Sequence, residues 1–474
     1  MSPSPPTTAS PLRREIRALS RLATPVVLGQ LAGMSLWVVD LLMVGRVGVE
    51  ALGAVSLGRT WVICTLIIGM GLVLGMDPVT SQAHGARDRR RVGLSLQWGL
   101  VVAVGASIPV ALLWLMTEPL LLLTGQDPEL SRLAHRYLLV QIPSVPFALC
   151  YMALRQWLQG RGLVRPAMWI ALSANVLNVL ANYLLIYGKW GFPELGVVGA
   201  GISTTITQIS MFLGLAWLVV RRRLHRAGWS GWSREAFDLA GIRQVLGFGW
   251  PVATQLGLEL WAFSSTTLLA GLVGEVELAS HSVVFNIASV SFMVPLGIGI
   301  ASVTRVGNQL GAGRPEGARR SAFVALGMGG GVMLVFALLF VVGRHQLPRL
   351  YSDDLGVIAL TASILPIAAA FQLFDGLQVV GSGILRGAGQ PRPAAVFNFI
   401  GYYVVALPLA AWWILGADGG IGGLWWCMCI GLALVAALLV YWVWSRGPGS
   451  GRGVPVVAQV RGASKGANSS ATVG

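Results

Sequence analysis

Long apolar stretches recur along the whole chain, and short polar segments separate them. A run of about 20 apolar residues can cross the hydrocarbon core of a bilayer as an α-helix. The runs are too long for barrel strands, and they show no strict alternation of apolar and polar positions. We predict twelve membrane-spanning helices at residues 20–44, 51–78, 93–116, 132–158, 166–187, 196–220, 240–272, 279–304, 320–343, 355–385, 394–415 and 419–445.

The composition agrees with an integral membrane protein. Of 474 residues, 55% are hydrophobic and only 11% are charged, whereas soluble domains carry about 25% charged residues. The net charge of +15 raises the question of nucleic acid, but the basic residues form neither a single face nor a separate domain. We therefore expect the lipid bilayer, and not nucleic acid, to be the partner of this protein.

The distribution of basic residues predicts the orientation. Of the 34 Lys and Arg residues, 27 fall on the side that holds both termini, 6 fall on the other side, and Arg59 lies inside a span. Cytoplasmic segments collect Lys and Arg. The N-terminal segment also lacks the apolar core of a secretory signal. We predict a multi-pass protein of the bacterial cytoplasmic (inner) membrane with both termini in the cytoplasm.

Two stretches of the chain align without gaps at one constant offset. The informative matches are Gly and Pro, because these residues set backbone shape. Among them are Pro25 with Pro251, Gly45 with Gly271 and Gly85 with Gly311. An offset of six helices gives both halves the same topology, as in transporters whose repeats rock about a central cavity.

The repeat divides the chain into two six-helix, pseudo-symmetric lobes of an all-α membrane protein. We expect helix kinks at Pro25 and Pro251. The Gly- and Ser-rich tail is expected to be disordered. The predicted segments are a cytoplasmic N-terminal segment 1–19, an N-lobe 20–220, a cytoplasmic linker 221–239, a C-lobe 240–445 and a cytoplasmic tail 446–474.

Several motifs resemble the multidrug and toxic compound extrusion (MATE) transporters, especially the NorM-type branch. They include GWPVATQLGLELWAF at 249–263 and FDGLQVVGSGILRGAGQPRP at 374–393. The resemblance covers residues 15–445. It implies two lobes around a V-shaped cavity, action as a monomer, and drug efflux driven by inward flow of sodium or protons.

Three acidic residues lie well inside predicted spans: Asp40, Glu259 and Asp375. Carboxylates are costly in a bilayer and usually face a cavity or a partner. Such a site can exchange a proton or a sodium ion for a cationic drug, which is the physical basis of antiport. The alternative is a structural network of hydrogen bonds.

The resemblance implies how these acids are arranged. Asp40 would belong to an N-lobe cation site with Asn178, Asn182 and Thr204, although the two Asn could instead join helices by hydrogen bonds. Glu259 and Asp375 would form the acidic pair of the C-lobe. Cation-coupling or substrate-binding roles near that pair are predicted for Gln255, which shares a helical face with Glu259, and for Gln372 and Gln378, which flank Asp375.

Two further charged residues lie in the N-lobe. Arg59 is about as far beyond the first outer turn as Asp40 is before it, so we hypothesise that the two pair in one conformation. The alternative is that Arg59 extends outward to the bilayer surface. Asp77 lies near the cytoplasmic end of the second predicted span, and we interpret it as interfacial.

The chain shows no phosphate loop, nucleophile elbow or His-rich metal motif in a plausible context. We therefore predict no enzymatic activity and no cofactor or metal beyond the coupling sodium ion or proton. The predicted function is secondary active efflux of cationic lipophilic drugs. One rival is a flippase for lipid-linked precursors of the same superfamily, which would line its cavity with Arg and Lys. Another is a scaffold or receptor that transports nothing.

Overall fold

The computed structural model describes residues 11–229, 231–417 and 419–450, and these ranges contain helices and no strand. The first half forms α1 (Pro11–Val44), α2 (Val49–Leu74), α3 (Met76–Gly85), α4 (Arg89–Leu115), α5 (Thr117–Leu123), α6 (Pro128–Leu139), α7 (Ser144–Gly160), α8 (Arg165–Tyr187) and α9 (Gly196–Arg221). The second half forms α10 (Leu239–Val273), α11 (Glu275–Gly311), α12 (Pro315–Val342), α13 (Leu355–Gly387), α14 (Arg392–Asn398), α15 (Leu407–Ala411) and α16 (Ile421–Arg446). Two π-helical segments, Phe399–Ala406 and Trp412–Gly416, flank α15.

Within the described ranges, eleven helices are long and apolar enough to cross a membrane, with α2 and α3 counted as one span. The bent pair α6–α7 raises the number to twelve. This outcome confirms the predicted all-helical membrane fold.

The prediction of one continuous helix at 132–158 was wrong. The chain there breaks between α6 and α7, which meet at 56°. Pro143 lies in the break, and a proline disfavours helical geometry at the residue before it. The apolar run alone could not reveal this bend.

The first helix also differs from its prediction. α1 begins at Pro11, so residues 11–19 are helical and run without a break into the first predicted span. Residues 1–10 lie outside the described part of the chain. So do residues 451–474, which hold most of the predicted tail. Pro25 and Pro251 both lie inside continuous helices, and kinks at these positions remain a prediction.

The repeat is visible in the backbone. α2 and α11 begin at positions that the repeat aligns, and each follows a glycine, Gly48 or Gly274. The two glycines have nearly the same conformation, with φ 157° and ψ 169° at Gly48 and φ 166° and ψ 171° at Gly274. The two halves therefore turn between their first two spans in the same way.

Both ends of the described chain lie at one face of the molecule, which we call the terminal face. Pro11 and Pro315 line the same surface cavity, and Gly449 lies against Pro315 and Arg319. The segment between the lobes is also anchored at this face, since Trp98 Nε1 in α4 donates a hydrogen bond to the Glu235 carbonyl at 2.9 Å. The predicted linker is thus docked on the N-lobe.

The lobes pack closely against each other at the terminal face. α2 packs on α10, and both α1 and α3 pack on α11. A Cβ added at Gly75 would overlap the Val245 carbonyl oxygen, and one at Gly85 would overlap the Asn308 carbonyl oxygen. Only glycine allows such close backbone approach.

Polar contacts reinforce this interlobe seam. The Arg305 guanidinium donates two hydrogen bonds to the Glu15 carboxylate, at 2.7 and 2.8 Å. Gln82 Nε2 donates to the Gly387 carbonyl at 3.1 Å. These contacts join α1 to α11 and α3 to α13, so the molecule is closed toward the terminal face.

Candidate functional site

The predicted N-lobe residues meet around the Asp40 carboxylate. Asn182 Nδ2 donates a hydrogen bond to Asp40 Oδ1 at 2.6 Å, and Thr204 Oγ1 donates to Oδ2 at 3.3 Å. Asn182 Nδ2 also donates to Asn178 Oδ1 at 3.2 Å. The cluster draws on α1, α8 and α9, and Asp40 is only 7% exposed.

One oxygen atom of this cluster has no hydrogen-bond donor within the described part of the chain. Asn182 Oδ1 is buried and has no hydrogen-bond partner among the described residues. An unpaired buried acceptor costs free energy unless a donor or a cation reaches it. With the Asp40 carboxylate beside it, this oxygen belongs to the ligand type that hard cations such as sodium prefer.

Arg59 does not pair with Asp40 in this conformation. Its guanidinium carbon lies 4.8 Å from the centre of the Trp37 ring, which is a cation–π contact. Arg59 and Asp40 still interact electrostatically. The hypothesis that they pair in another conformation stays a prediction.

The C-lobe contains a cavity of about 340 Å³ that Glu259 and Asp375 line together. Asp375 is 6% exposed, and the two carboxylates are near enough to interact electrostatically. Aromatic side chains form much of the remaining wall: Phe263, Phe285, Phe292, Phe371 and Trp425. The cavity thus combines two carboxyl groups with aromatic faces.

The glutamines near the pair have different partners. Gln378 Nε2 donates to Glu259 Oε2 at 3.4 Å. Gln255 lines the cavity and donates to Ser382 Oγ at 3.1 Å. Gln372 Nε2 instead donates to Ser291 Oγ at 2.8 Å. This amide nitrogen therefore joins α13 to α11, while the Gln372 oxygen has no hydrogen-bond partner among the described residues.

Sequence reasoning missed two neighbours of the acidic pair. Asn398 Oδ1 accepts a hydrogen bond from Gln378 at 3.4 Å, and Tyr402 interacts electrostatically with both carboxylates. Tyr402 lies in the π-helical segment that follows Asn398. Such segments occur often at functional sites, but an apolar run gives no sign of one.

The interpretation of Asp77 as interfacial was wrong. Asp77 is 6% exposed and lies 3.2 Å from Arg386, measured between Oδ2 and Nε. α3 continues from α2 as far as Gly85, and Asp77 is buried in the protein at the start of this helix. Arg386 also lines the cavity.

The family model described as MatE matches the chain twice, at residues 25–184 and 251–412. The chain belongs to the MATE family. The two matches begin at Pro25 and Pro251, which the repeat aligns with each other. Each match covers five spans of one lobe, and the sixth span, α9 or α16, lies outside the matched residues.

Individual MATE relatives match most of the chain. A probable multidrug resistance protein NorM from Bradyrhizobium diazoefficiens is 35% identical and aligns over 89% of this chain and 91% of its own. Multidrug and toxin extrusion protein 2 from Mus musculus is 36% identical, over 92% and 76%. The crystal structure of the eukaryotic MATE transporter AtDTX14 superposes with a TM-score of 0.85 at 25% identity, over 92% of this chain and 97% of that one.

The charges do not follow the repeat of the MATE fold. In the alignment that pairs Pro25 with Pro251, Asp40 corresponds to Thr266 and Glu259 to Gly33. The N-lobe thus carries a compact carboxylate–amide cluster, whereas the C-lobe carries two carboxylates in an aromatic cavity. Two lobes of one fold present different chemistry.

Proposed function

We propose that this protein expels lipophilic cations from a bacterial cell in exchange for sodium ions or protons. The observation that carries the proposal is the C-lobe cavity, in which Glu259 and Asp375 face five aromatic side chains. Aromatic faces and carboxylates both attract an organic cation. A volume of about 340 Å³ falls within the usual range for small-molecule sites, about 300–1,000 Å³.

The antiport mechanism follows from the cost of burying negative charge. An ionised carboxylate in a protein interior needs a proton, a cation or a hydrogen-bonded partner. In the C-lobe cavity, a drug cation and a coupling ion would therefore take turns on the same pair. In the N-lobe, Asp40, Asn178, Asn182 and Thr204 would hold a second coupling ion, with Asn182 Oδ1 as an available ligand.

The orientation belongs to the same proposal. The sequence assigns 27 basic residues to the side that holds both termini and 6 to the other side, and this excess favours a cytoplasmic location of the terminal face in the bacterial inner membrane. Since the lobes meet there, this conformation would be the one that faces outward. Names of relatives such as multidrug resistance protein NorM support drugs as the cargo, and we propose that the monomer is active.

Efflux of ethidium from proteoliposomes tests this function. Sodium and proton gradients are imposed separately, and Asp40→Asn, Glu259→Gln, Asp375→Asn and the triple variant are compared with the native protein. We expect each single variant to slow uphill efflux about tenfold or more, which corresponds to roughly 1.4 kcal/mol, and the triple variant to abolish it.

Glu118→Gln is the matched control, because it also neutralises a carboxylate but lies at a partly exposed ion pair with Arg132. Its efflux should equal that of the native protein. Native-rate uphill efflux by the triple variant would refute the proposal. Translocation of a fluorescent lipid-linked precursor in the same vesicles, without ethidium efflux, would instead favour the flippase.

A further inference from the structure

A buried ion pair joins the two lobes between α3 and α13. Arg386 Nε lies 3.2 Å from Asp77 Oδ2, and Gln156 Nε2 donates a hydrogen bond to the same oxygen at 3.4 Å. The Asp77 side chain is 7% exposed and that of Arg386 is 15% exposed. The Arg386 Nε atom makes no well-directed hydrogen bond within the described residues, so the contact between lobes is mainly one of charge.

This pair lies at the terminal end of the aromatic cavity. Asp375, Ser382 and Arg386 all line the cavity from α13. Eleven residues are close to three helical turns, so Asp375 and Arg386 share a face of α13, about 16 Å apart along its axis. Arg386 therefore lines the cavity and also contacts Asp77 of the opposite lobe.

The contacts nearby belong to the interlobe seam. Gln82, in the same short helix as Asp77, donates to the carbonyl of Gly387, the residue after Arg386. Thr304 Oγ1 of α11 donates to the Gln159 carbonyl of α7 at 3.0 Å. A drug that reaches the acidic pair from the terminal face must pass between these surfaces.

We propose that Asp77 and Arg386 form the gate of the cavity at the terminal face, and that their separation opens the cavity to the cytoplasm. The proposal rests on the proposed alternating-access transport. Closing the seam brings the two charges together inside the protein, where their attraction is less screened than in water. Opening the seam parts them, so the pair favours the conformation in which the terminal face is closed.

The direction of access can be measured without drug and without an ion gradient. The four native cysteines, Cys64, Cys150, Cys427 and Cys429, are replaced by Ala, and one Cys is introduced at Ser289, which lines the cavity. A membrane-impermeant maleimide is added to one side of proteoliposomes at a time. We expect Asp77→Asn and Arg386→Gln to raise the labelling rate from the terminal side at least tenfold and to lower it from the other side.

Three further variants make the test specific. Arg386→Lys keeps the charge and should keep native labelling. The swapped pair Asp77→Arg with Arg386→Asp should return labelling toward the native pattern. Glu118→Gln breaks an ion pair within one lobe and should change nothing.

The proposal is overturned if folded, monodisperse Asp77→Asn and Arg386→Gln proteins label like the native protein from both sides. Failure of ethidium efflux by the native protein would refute drug transport but would leave this labelling result intact. The two ideas can therefore fail separately.

Discussion

The side-chain amide of Asn182 donates a hydrogen bond to Asp40 Oδ1 at 2.6 Å, while the oxygen of the same amide has no hydrogen-bond partner among the described residues. One end of this side chain holds the carboxylate in place. The other end offers a buried oxygen next to it. In the proposed antiport, Asn182 would therefore link the position of Asp40 to the binding of the coupling ion.

We predict that Asn182→Leu weakens ion binding in the N-lobe. It removes a hydrogen bond to a charged group, worth about 1.5–3 kcal/mol, together with one oxygen ligand. The half-saturating concentration of the coupling ion should rise at least about tenfold in an efflux assay. Asn175→Leu is the control, since Asn175 lies on the same helix and donates only to backbone carbonyls. An equal shift in both variants would contradict the prediction.

Arg59 provides a second test of the N-lobe site. If it moves from Trp37 to Asp40 during transport, Arg59→Ala should change how efflux depends on pH and on the coupling ion, because the carboxylate loses an internal counter-ion. Arg221→Ala removes a comparable cation–π contact with Trp217, at 5.5 Å, and should leave both profiles unchanged. An unaltered profile in Arg59→Ala removes the hypothesis.

The aromatic wall predicts a preference for flat cations. The Phe263 ring packs against those of Phe285, Phe371 and Tyr402, with centroids 5.5–6.1 Å apart. Phe263→Leu removes an aromatic face worth about 1 kcal/mol. The KM for a planar aromatic cation should therefore rise roughly fivefold while the dependence on the coupling ion stays native.

Phe399→Leu is the control for the aromatic wall. Phe399 is 49% exposed and stacks on Tyr403, outside the described cavity lining. Equal KM values for the native protein and Phe263→Leu would show that this ring does not contact the drug.

Backbone contact at the seam predicts the effect of a single methyl group. Gly75→Ala would push α2 and α3 away from α10, because the new Cβ overlaps backbone atoms of Val245 and Gly249. Overpacking of this kind costs about 1–3 kcal/mol. We expect a lower Tm and faster labelling of the cavity cysteine from the terminal side.

Gly247→Ala provides the comparison for the seam. A Cβ at Gly247, on the facing helix α10, meets no atom within 4 Å. This substitution should leave access native and raise helix stability by up to about 1 kcal/mol. Native labelling and native Tm in Gly75→Ala would contradict the close contact.

Much of the fold follows from patterns that act locally. Apolar runs of sufficient length specify spans, and the Gly and Pro matches specify a repeat. The resemblance to a family then indicated which helices meet around Asp40. The resemblance thus predicted that Asn178, Asn182 and Thr204 lie near Asp40. No periodicity in the sequence indicates this cluster.

The errors concern contacts between distant segments. Asp77 looked interfacial because the apolar run ends near Pro78, whereas the helix continues and docks against the opposite lobe. Gln372 flanks Asp375, its amide nitrogen reaches α11, and its predicted role at the acidic pair stays a prediction. Hydropathy reports burial against lipid or protein alike, so it cannot identify the partner of a polar side chain.

The ion pair between Glu15 and Arg305 has a consequence for biogenesis. These residues are 290 positions apart in the chain, and ribosomes add about 5–20 residues per second. The start of α1 must therefore wait roughly 15–60 s for its counter-charge to be synthesised, while the rest of α1 can already dock on α8. The start of α1 is thus made early but fixed late, and a ribosome that stalls before α11 would leave the N-lobe without the ion pair that joins Glu15 to the C-lobe.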